Sequence, residues 1–175
     1  MINTLKGDLT RLDFDIIVNA ANEQLAPGAG VCGAIFKGAG PQLVNACKQL
    51  SGWRTGQAKM SVSYNLPCKA IIHAVGPIWR GGDNQEEDYL EAAYWNSMCL
   101  AYEYMKRHRL DRLSIGFPCI STGIYGFPKE LACPIAVSTV QRMMSIYPQT
   151  RNINVTFVCF DQEDYLLYKK ELKLR

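Results

Sequence analysis

Apolar residues recur along this chain in two rhythms, and the alternation between them sets out an order of elements. Short runs dense in β-branched residues predict strands covered on both faces. Asp15-Ile16-Ile17-Val18-Asn19, Lys69 to Val75, Arg112 to Phe117 and Ile153 to Phe160 have this character. Met1 to Lys6 predicts a first strand, ended by Gly7-Asp8. Lys59 to Tyr64 predicts another, joined to its successor through Asn65-Leu66-Pro67.

Between these runs the spacing changes to steps of three and four. Leu90, Ala93, Tyr94, Met98, Ala101, Tyr104 and Met105 predict a long helix, with Lys106-Arg107-His108-Arg109 suited to its negative end. Its start is expected at Asn84, a capping residue with Glu87 three positions on. Val31 to Lys37 predicts a helix after the break at Gly28-Ala29-Gly30. Pro41 to Ser51-Gly52 predicts a second, with Leu43, Val44, Cys47 and Leu50 on one face. A helix is expected within Lys129 to Ile146, where Pro134 should kink it or mark a late start. Asp161 is expected to cap a last helix carrying Tyr165, Leu166, Tyr168 and Leu172. Strand alternating with helix predicts an α/β fold, a largely parallel or mixed sheet with helices on both faces.

Composition narrows the class. At 175 residues, 48% hydrophobic and 20% charged, the chain is expected to form a single globular domain over residues 1–175. No apolar run reaches the roughly 20 residues of a membrane span, and Met1 to Lys6 lacks a signal peptide's apolar region. A cytoplasmic protein without membrane partners is the expectation. The seven cysteines are odd in number and never spaced C-x-x-C, so neither a disulfide framework nor structural zinc is expected. Cys47, Cys99, Cys133 and Cys159 read as small core residues.

Charge adds a functional hint. No acid lies between Glu23 and Asp83, whereas Lys37, Lys48, Arg54, Lys59, Lys69 and Arg80 do. That segment carries +6 and the remainder −3 of the net +3. A stretch free of carboxylates suits an anionic ligand. The overall charge is small for a nucleic-acid binder and no aromatic-basic interleaving is present, so nucleic acid is not the expected partner.

Two loops at strand-to-helix junctions carry the candidate chemistry. One runs from Asn19-Ala20-Ala21-Asn22 to Gly28-Ala29-Gly30-Val31-Cys32-Gly33, where glycines admit a ligand and a new helix offers unpaired N–H groups. The other is Ser121-Thr122-Gly123-Ile124-Tyr125-Gly126. Two such loops on adjacent strands can grip a diphosphate. The first contains G-x-G-x-x-G, but it follows its strand by about ten residues and no acid comes about twenty residues later, so nicotinamide-dinucleotide binding is disfavoured. Neither loop ends in Gly-Lys-Ser/Thr.

In order, Lys6-Gly7-Asp8-Leu9-Thr10, Val18-Asn19-Ala20-Ala21-Asn22, Gly30-Val31-Cys32-Gly33-Ala34-Ile35, His73-Ala74-Val75-Gly76-Pro77 and Ser121 to Gly126 resemble the signatures of the macrodomain family. The resemblance spans about Leu5 to Phe160. It is closest to the branch that hydrolyses O-acetyl-ADP-ribose and mono-ADP-ribosyl esters on acidic side chains. It implies a three-layer α/β/α macrodomain with a mixed sheet, no cofactor and no metal, and ADP-ribose or an ADP-ribosylated protein as partner.

The resemblance also implies roles. Asp8 would accept from the adenine amino group, assisted by the Leu9 main chain, and Phe160 would pack on the adenine or its ribose. Gly30, Val31, Cys32 and Gly33 would cradle one phosphate, and Ser121, Thr122, Gly123, Ile124 and Tyr125 the other. Asn22 would meet the distal ribose. Residue by residue the bland readings are a turn at Asp8, a core ring at Phe160, a structural Asn19 tying the loop's main chain together, a hydrogen-bonded core histidine at His73, and packing for Trp53, Trp79 and Trp95.

One position departs from the family pattern. The hydrolase branch usually carries aspartate after the loop valine, an acid thought to orient the attacking water, and here the residue is Cys32. Some viral macrodomains also carry cysteine there and hydrolyse ADP-ribosyl esters. By that analogy Asn22, Tyr125 and a ligand phosphate would hold the water, with Cys32 beside them. The alternative is a reader that binds ADP-ribose without cleaving it. A nucleophilic Cys32 is a further expectation to test, since a helix N-terminus favours a thiolate while a neighbouring diphosphate opposes it.

Overall fold

The computed structural model describes residues 1–50 and 52–173. The strands are β1 (Ile2–Lys6), β2 (Ile16–Ala21), β3 (Ala58–Val62), β4 (Ala70–Val75), β5 (Leu113–Phe117) and β6 (Ile153–Cys159). The helices are α1 (Gly30–Ala39), α2 (Pro41–Leu50), α3 (Glu86–Arg107), α4 (Lys129–Ile146) and α5 (Gln162–Lys173). The sheet runs β1-β6-β5-β2-β4-β3, parallel throughout except for the antiparallel β3–β4 edge pair. The mixed α/β architecture expected from the alternation is therefore observed.

Two-residue periodicity divides the central strands between two cores. Ile16 and Val18 of β2, with Ile72 and Ala74 of β4, face a large cluster that also holds Leu90, Tyr94 and Met98 of α3, Val137 of α4 and Tyr168 of α5. Ile17 and Ala21, with Ile71 and Val75, face the opposite cluster, closed by Ile35 and Phe36 of α1 and Leu43 and Cys47 of α2. Sandwiched in this way, β2 and β4 are apolar at nearly every position, which is why they read as unbroken runs.

Several expectations shift. The long helix is not capped by Asn84 and Glu87: Gln85 precedes it in a left-handed conformation (φ 61) with no capping side-chain bond. The buried Glu86 carboxylate instead collects the main-chain N–H groups of Arg80, Gly82 and Asn84 at 2.9, 3.3 and 2.6 Å. Helix α4 starts at Lys129 and continues past Pro134 to Ile146. Pro134 strips a partner only from the Glu130 carbonyl, and Glu130 is exposed, so water can replace the lost donor. Leu166 is 54% exposed, while Leu167 packs on the core. Asp161 does cap α5, accepting from the Asp164 N–H at 2.8 Å. The end of α2 expected at Ser51 lies outside the described residues.

Candidate functional site

The loops that leave β1, β2, β4, β5 and β6 gather at one end of the sheet, at the strands' carboxyl ends, where doubly covered sheets place their ligands. They enclose two adjoining cavities. The first, about 450 Å³, lies between Asp8, Leu9 and Phe160 on one side and Lys129 and Asp164 on the other. The second, about 400 Å³, lies among Asn22, Cys32, Ser121 and Tyr125. Gly30, Val31, Cys119 and Gly123 line both, so the two halves form one trough.

The trough's middle is main chain. Helix α1 begins at Gly30, whose φ of +60 turns the chain into the helix with nothing near its missing Cβ. The first N–H groups of a helix have no intrahelical acceptor, and those of Val31 and Cys32 find none among the described residues. Gly33 is required for a different reason: a Cβ there would lie 2.5 Å from the Gly28 carbonyl, so the loop packs directly on the helix. Opposite, the 121–126 loop folds on itself through Gly126 N–H to the Gly123 carbonyl at 3.0 Å and Phe127 N–H to the Ser121 carbonyl at 2.9 Å. The N–H groups of Ser121, Gly123, Ile124 and Tyr125 find no acceptor among the described residues. Ser121 is strained as well, with φ 67 and a buried Oγ lacking a partner. Donors left unpaired on both sides of a trough form an anion nest.

The end nearest Asp8 is built for a flat, partly apolar group. Phe160 is 83% exposed at the end of β6, which overturns a core reading. Asp8 Oδ1 accepts from the Thr10 N–H at 3.0 Å and the Thr10 hydroxyl at 2.7 Å, so the turn role is real. Its Oδ2 keeps only Arg11 Nε at 3.4 Å and stays available to a ligand. The Thr10 hydroxyl, against the cost of burial, holds this carboxyl below its ordinary range. Leu9 is buried beneath, and its N–H has no acceptor among the described residues. Lys129 ties this end together, reaching Asp161 and Glu163 at 2.8 Å and Asp164 at 3.5 Å. Sequence reasoning missed Lys129, because its partners are a strand and a helix away.

At the other end, Asn22 lines the trough while its amide is stapled to the Ala26 main chain. Cys32 is buried and its Sγ donates to the same Ala26 carbonyl at 3.6 Å. Burial pushes the Cys32 thiol up, outweighing the Asn19 and Gly28 hydrogen bonds that pull the other way. This is the environment of a neutral thiol, against the thiolate that a helix N-terminus would favour. Tyr125 is half-buried, and that burial also pushes its hydroxyl up. Thr122 turns its hydroxyl to the Cys119 carbonyl at 3.0 Å, shaping the loop, and Ile124 stands 79% exposed on its crest. Gly76 was not given a role by the sequence. A Cβ there would overlap Ser121 Oγ and approach Ile120 Cγ2 to 2.5 Å, so the loop can seat against β4 only over a glycine.

The residues expected to be structural are placed so. Asn19 and His73 are buried side by side on β2 and β4, Nδ2 to Nδ1 at 3.1 Å, and Ser61 Oγ meets His73 Nε2 at 2.9 Å. Asn19 thus pairs with a neighbouring strand rather than with the loop's main chain. Trp79 packs at a tilt against Phe127 with ring centroids 4.6 Å apart, Trp95 meets Tyr147 edge-on, and Trp53 lies under Lys59. All seven cysteines are free thiols. Among the described residues no cluster of His, Cys, Asp and Glu could hold a metal, and no helix is long and apolar enough to cross a membrane.

A doubly covered mixed sheet with opposed main-chain cradles at its carboxyl end defines an anion-binding α/β/α domain. More specifically, the Macro domain model matches residues 18–136, and the chain belongs to that family. It is 47% identical over 178 residues to an O-acetyl-ADP-ribose deacetylase of Enterobacter cloacae, covering 99% of this chain and 94% of the relative. A macro domain-containing protein of Ralstonia nicotianae is 48% identical over 171 residues, covering 98% and 94%. Among solved structures, the Oceanobacillus iheyensis macrodomain with ADP is 36% identical with a TM-score of 0.85, covering 98% of this chain and 89% of the other. The Trypanosoma brucei macrodomain in complex with ADP-ribose is 34% identical, also with a TM-score of 0.85, covering 98% and 68%.

Proposed function

We propose that this domain binds ADP-ribose along the trough and hydrolyses its esters, either O-acetyl-ADP-ribose or mono-ADP-ribose attached to acidic side chains. The observation that carries the reading is the pair of opposed rows of main-chain N–H groups with no acceptor among the described residues, at Val31 and Cys32 and at Ser121, Gly123, Ile124 and Tyr125, in one cavity. A diphosphate supplies the acceptors those donors lack, without the desolvation penalty that a lysine or arginine side chain would bring. The relatives named as O-acetyl-ADP-ribose deacetylases support the reaction, and the macrodomains solved with ADP and ADP-ribose support the ligand.

Under this reading adenine lies on Phe160 with its amino group on Asp8 Oδ2, assisted by the Leu9 N–H. The diphosphate spans Gly30 to Gly33 and Ser121 to Tyr125. The distal ribose reaches Asn22, and a water held by Asn22, Tyr125 and a phosphate oxygen attacks the ester carbonyl. That carbonyl oxygen becomes an oxyanion, which the loop donors stabilise. Its collapse breaks the bond to the ribose oxygen, which leaves as a hydroxyl with the proton that the attacking water gives up by way of the phosphate oxygen. Without an aspartate at position 32 the reaction lacks a carboxylate base, an absence worth about 10²–10⁴-fold in rate.

The neutral, buried Cys32 thiol favours a second reading, an ADP-ribose reader that does not cleave. Calorimetric titration with ADP-ribose, followed by a hydrolysis assay on the same preparation, separates them. Binding with ester turnover supports the enzyme, and binding without turnover of either ester leaves the reader. No ADP-ribose binding overturns both.

A further inference from the structure

Beyond the trough lies a third cavity, about 680 Å³, which adjoins the distal-ribose end through Gly76 and Tyr125. Arg54 and Arg80 stand at its rim, both exposed, and neither guanidinium has an ion pair or hydrogen-bond acceptor among the described residues. Two carboxylates line the same cavity, and each accepts hydrogen bonds from main-chain or hydroxyl donors of the fold rather than from either arginine side chain. Glu23 Oε1 accepts from the Thr55 N–H and hydroxyl at 3.0 Å each. Glu86 is only 2% exposed and holds three main-chain donors. Burial opposes ionisation of Glu86, and those donors outweigh it.

The loops presenting the arginines are fixed rather than loose. Arg54 sits in a turn anchored by Gly56 N–H to the Val75 carbonyl at 2.7 Å and by Asn96 Nδ2 to the Gly56 carbonyl at 2.8 Å. Gly56 has φ +88, and a Cβ there would meet Tyr89 at 3.2 Å, so the turn lies flat against α3. Arg80 sits on the segment that Glu86 gathers, and the Trp79 N–H bonds the Tyr125 carbonyl at 2.8 Å. The second phosphate loop and the Arg80 loop are therefore one connected surface. Apart from Glu23 and Glu86, much of the cavity lining, including Arg54, Thr55, Gly76 and Arg80, comes from the stretch from Gln24 to Gly82, which contains no acid.

We propose that this third cavity binds an acidic polypeptide segment, the part of an ADP-ribosylated protein that flanks the modified carboxylate, with Arg54 and Arg80 receiving its side-chain carboxylates. This rests on the preceding reading, which brings the scissile ester to the Tyr125 end. The size fits: cavities of several hundred Å³ take ligands far larger than an acetyl group. So does the chemistry, since a guanidinium offers five donors in a fork that matches a carboxylate. A segment rich in aspartate and glutamate is thereby preferred over a neutral one, and the small ester O-acetyl-ADP-ribose leaves the cavity unused.

The test compares wild type with Arg54→Glu, Arg80→Glu and the double variant. Three ligands are used: O-acetyl-ADP-ribose, a peptide mono-ADP-ribosylated on one glutamate between acidic flanks, and the same peptide with the flanking acids replaced by glutamine. The expected result is a loss on the order of tenfold in kcat/KM for the acidic peptide in the double variant, as two exposed charge contacts give. O-acetyl-ADP-ribose turnover and ADP-ribose affinity stay at wild-type values, and the loss shrinks in high salt. Equal turnover of the two peptides by wild type, or an acidic preference that survives in the double variant, overturns the proposal while leaving the ester reading intact. Should wild type turn over neither ester, the ester reading fails, and the affinity of each modified peptide relative to free ADP-ribose decides the present one by the same comparison. Salt-sensitive RNA binding lost in the double variant, with no peptide preference, would assign the arginines to nucleic acid and also overturn it.

Discussion

The side-chain amide of Asn22 closes on the main chain of Ala26 from both sides, Nδ2 donating to its carbonyl and Oδ1 accepting from its N–H, each at 3.0 Å. The Leu25 N–H returns to the Asn22 carbonyl at 2.9 Å, with Leu25 left-handed at φ 48. The Cys32 thiol donates to the same Ala26 carbonyl. Asn22, Ala26 and Cys32 thus form one unit, in which the residue expected to face the ribose also holds the loop that shapes the first phosphate cradle. An amide has two N–H groups and two lone-pair sites on its oxygen, so half of its capacity remains for ligand or water.

Asn22→Ala removes both bonds at once. We expect a loss of about 1–2 kcal/mol of stability, the net worth of two neutral hydrogen bonds, read from urea unfolding. Ester turnover should fall at least tenfold, on the order of the loss of a water-positioning group. A folded Asn22→Ala protein with wild-type turnover would remove Asn22 from the reaction and reduce it to a staple.

Gly76→Ala tests whether the second cradle depends on its seating. The added methyl collides with Ser121 Oγ and Ile120 Cγ2, and the strained Ser121 main chain has little freedom to retreat. Overpacking of this kind costs about 1–3 kcal/mol, and ADP-ribose affinity should drop by about an order of magnitude for the same displacement. Adding Ser121→Gly to Gly76→Ala removes the struck hydroxyl and should recover part of the stability, the coupling expected of touching residues. Full ADP-ribose affinity in the single variant would show that the cradle does not need this contact.

How far the sequence could be read differs between the frame and the site. The apolar runs of β2 and β4 were legible because burial on both faces leaves no polar position to interrupt them. Both loops were legible because glycine clusters at a strand's carboxyl end are unusual. The third cavity was not, since its arginines sit on separate loops brought together by Glu86 and Gly56. Glu86 was passed over for its neighbour Glu87, because a capping pattern cannot reveal which carboxylate turns inward. Leu166 and Leu167 show the same limit: one residue of phase on a short helix decides which is buried, and composition is equal between them.

Phe160 and the adenine end give a separable prediction. Its ring is free of tertiary burial, so Phe160→Ala should leave unfolding within about 0.5 kcal/mol of wild type. Removing one stacking platform costs about 1–3 kcal/mol of base binding, or roughly tenfold in ADP-ribose affinity by titration. Unchanged affinity would move the adenine elsewhere. Lys129→Met, which frees the carboxylates of Asp161 and Asp164 in the same cavity, should weaken the same ligand by leaving uncompensated negative charge beside it.

Cys32 should be chemically quiet. Burial pushes its thiol up, so near neutral pH little thiolate is present. Iodoacetamide should modify it far more slowly in the native protein than in denaturant, by peptide mass analysis. Cys32→Ser keeps a small donor towards Ala26 and should retain ester turnover. Abolished turnover in a folded, ADP-ribose-binding Cys32→Ser protein would instead make the sulfur a nucleophile.

His73 sets a pH window for stability. The ring is fully buried, and that burial pushes its pKa down to about 4 from an ordinary 6.5. Asn19 Nδ2 can only donate, so His73 Nδ1 accepts and the ring proton lies on Nε2, facing Ser61 Oγ. A second proton would set two donors against each other at Nδ1. Because the folded pKa is the lower one, the unfolded chain binds protons first as pH falls. The stabilisation is complete above 6.5, lost progressively between 6.5 and about 4, and unchanged below that. The full window is worth roughly 3 kcal/mol, of which about 2 kcal/mol is gone by about pH 5. Asp8, Asp15 and Asp161, whose carboxyls are held below 3.8, lose their contributions only in more acidic solution, so the two effects separate along the pH axis. Urea unfolding of wild type and His73→Gln at about pH 7 and about pH 5 measures the difference. The variant should be less stable at the higher pH and should lose little of the remainder on acidification to the lower one. An equal pH slope in both proteins would show that His73 is not the group that titrates.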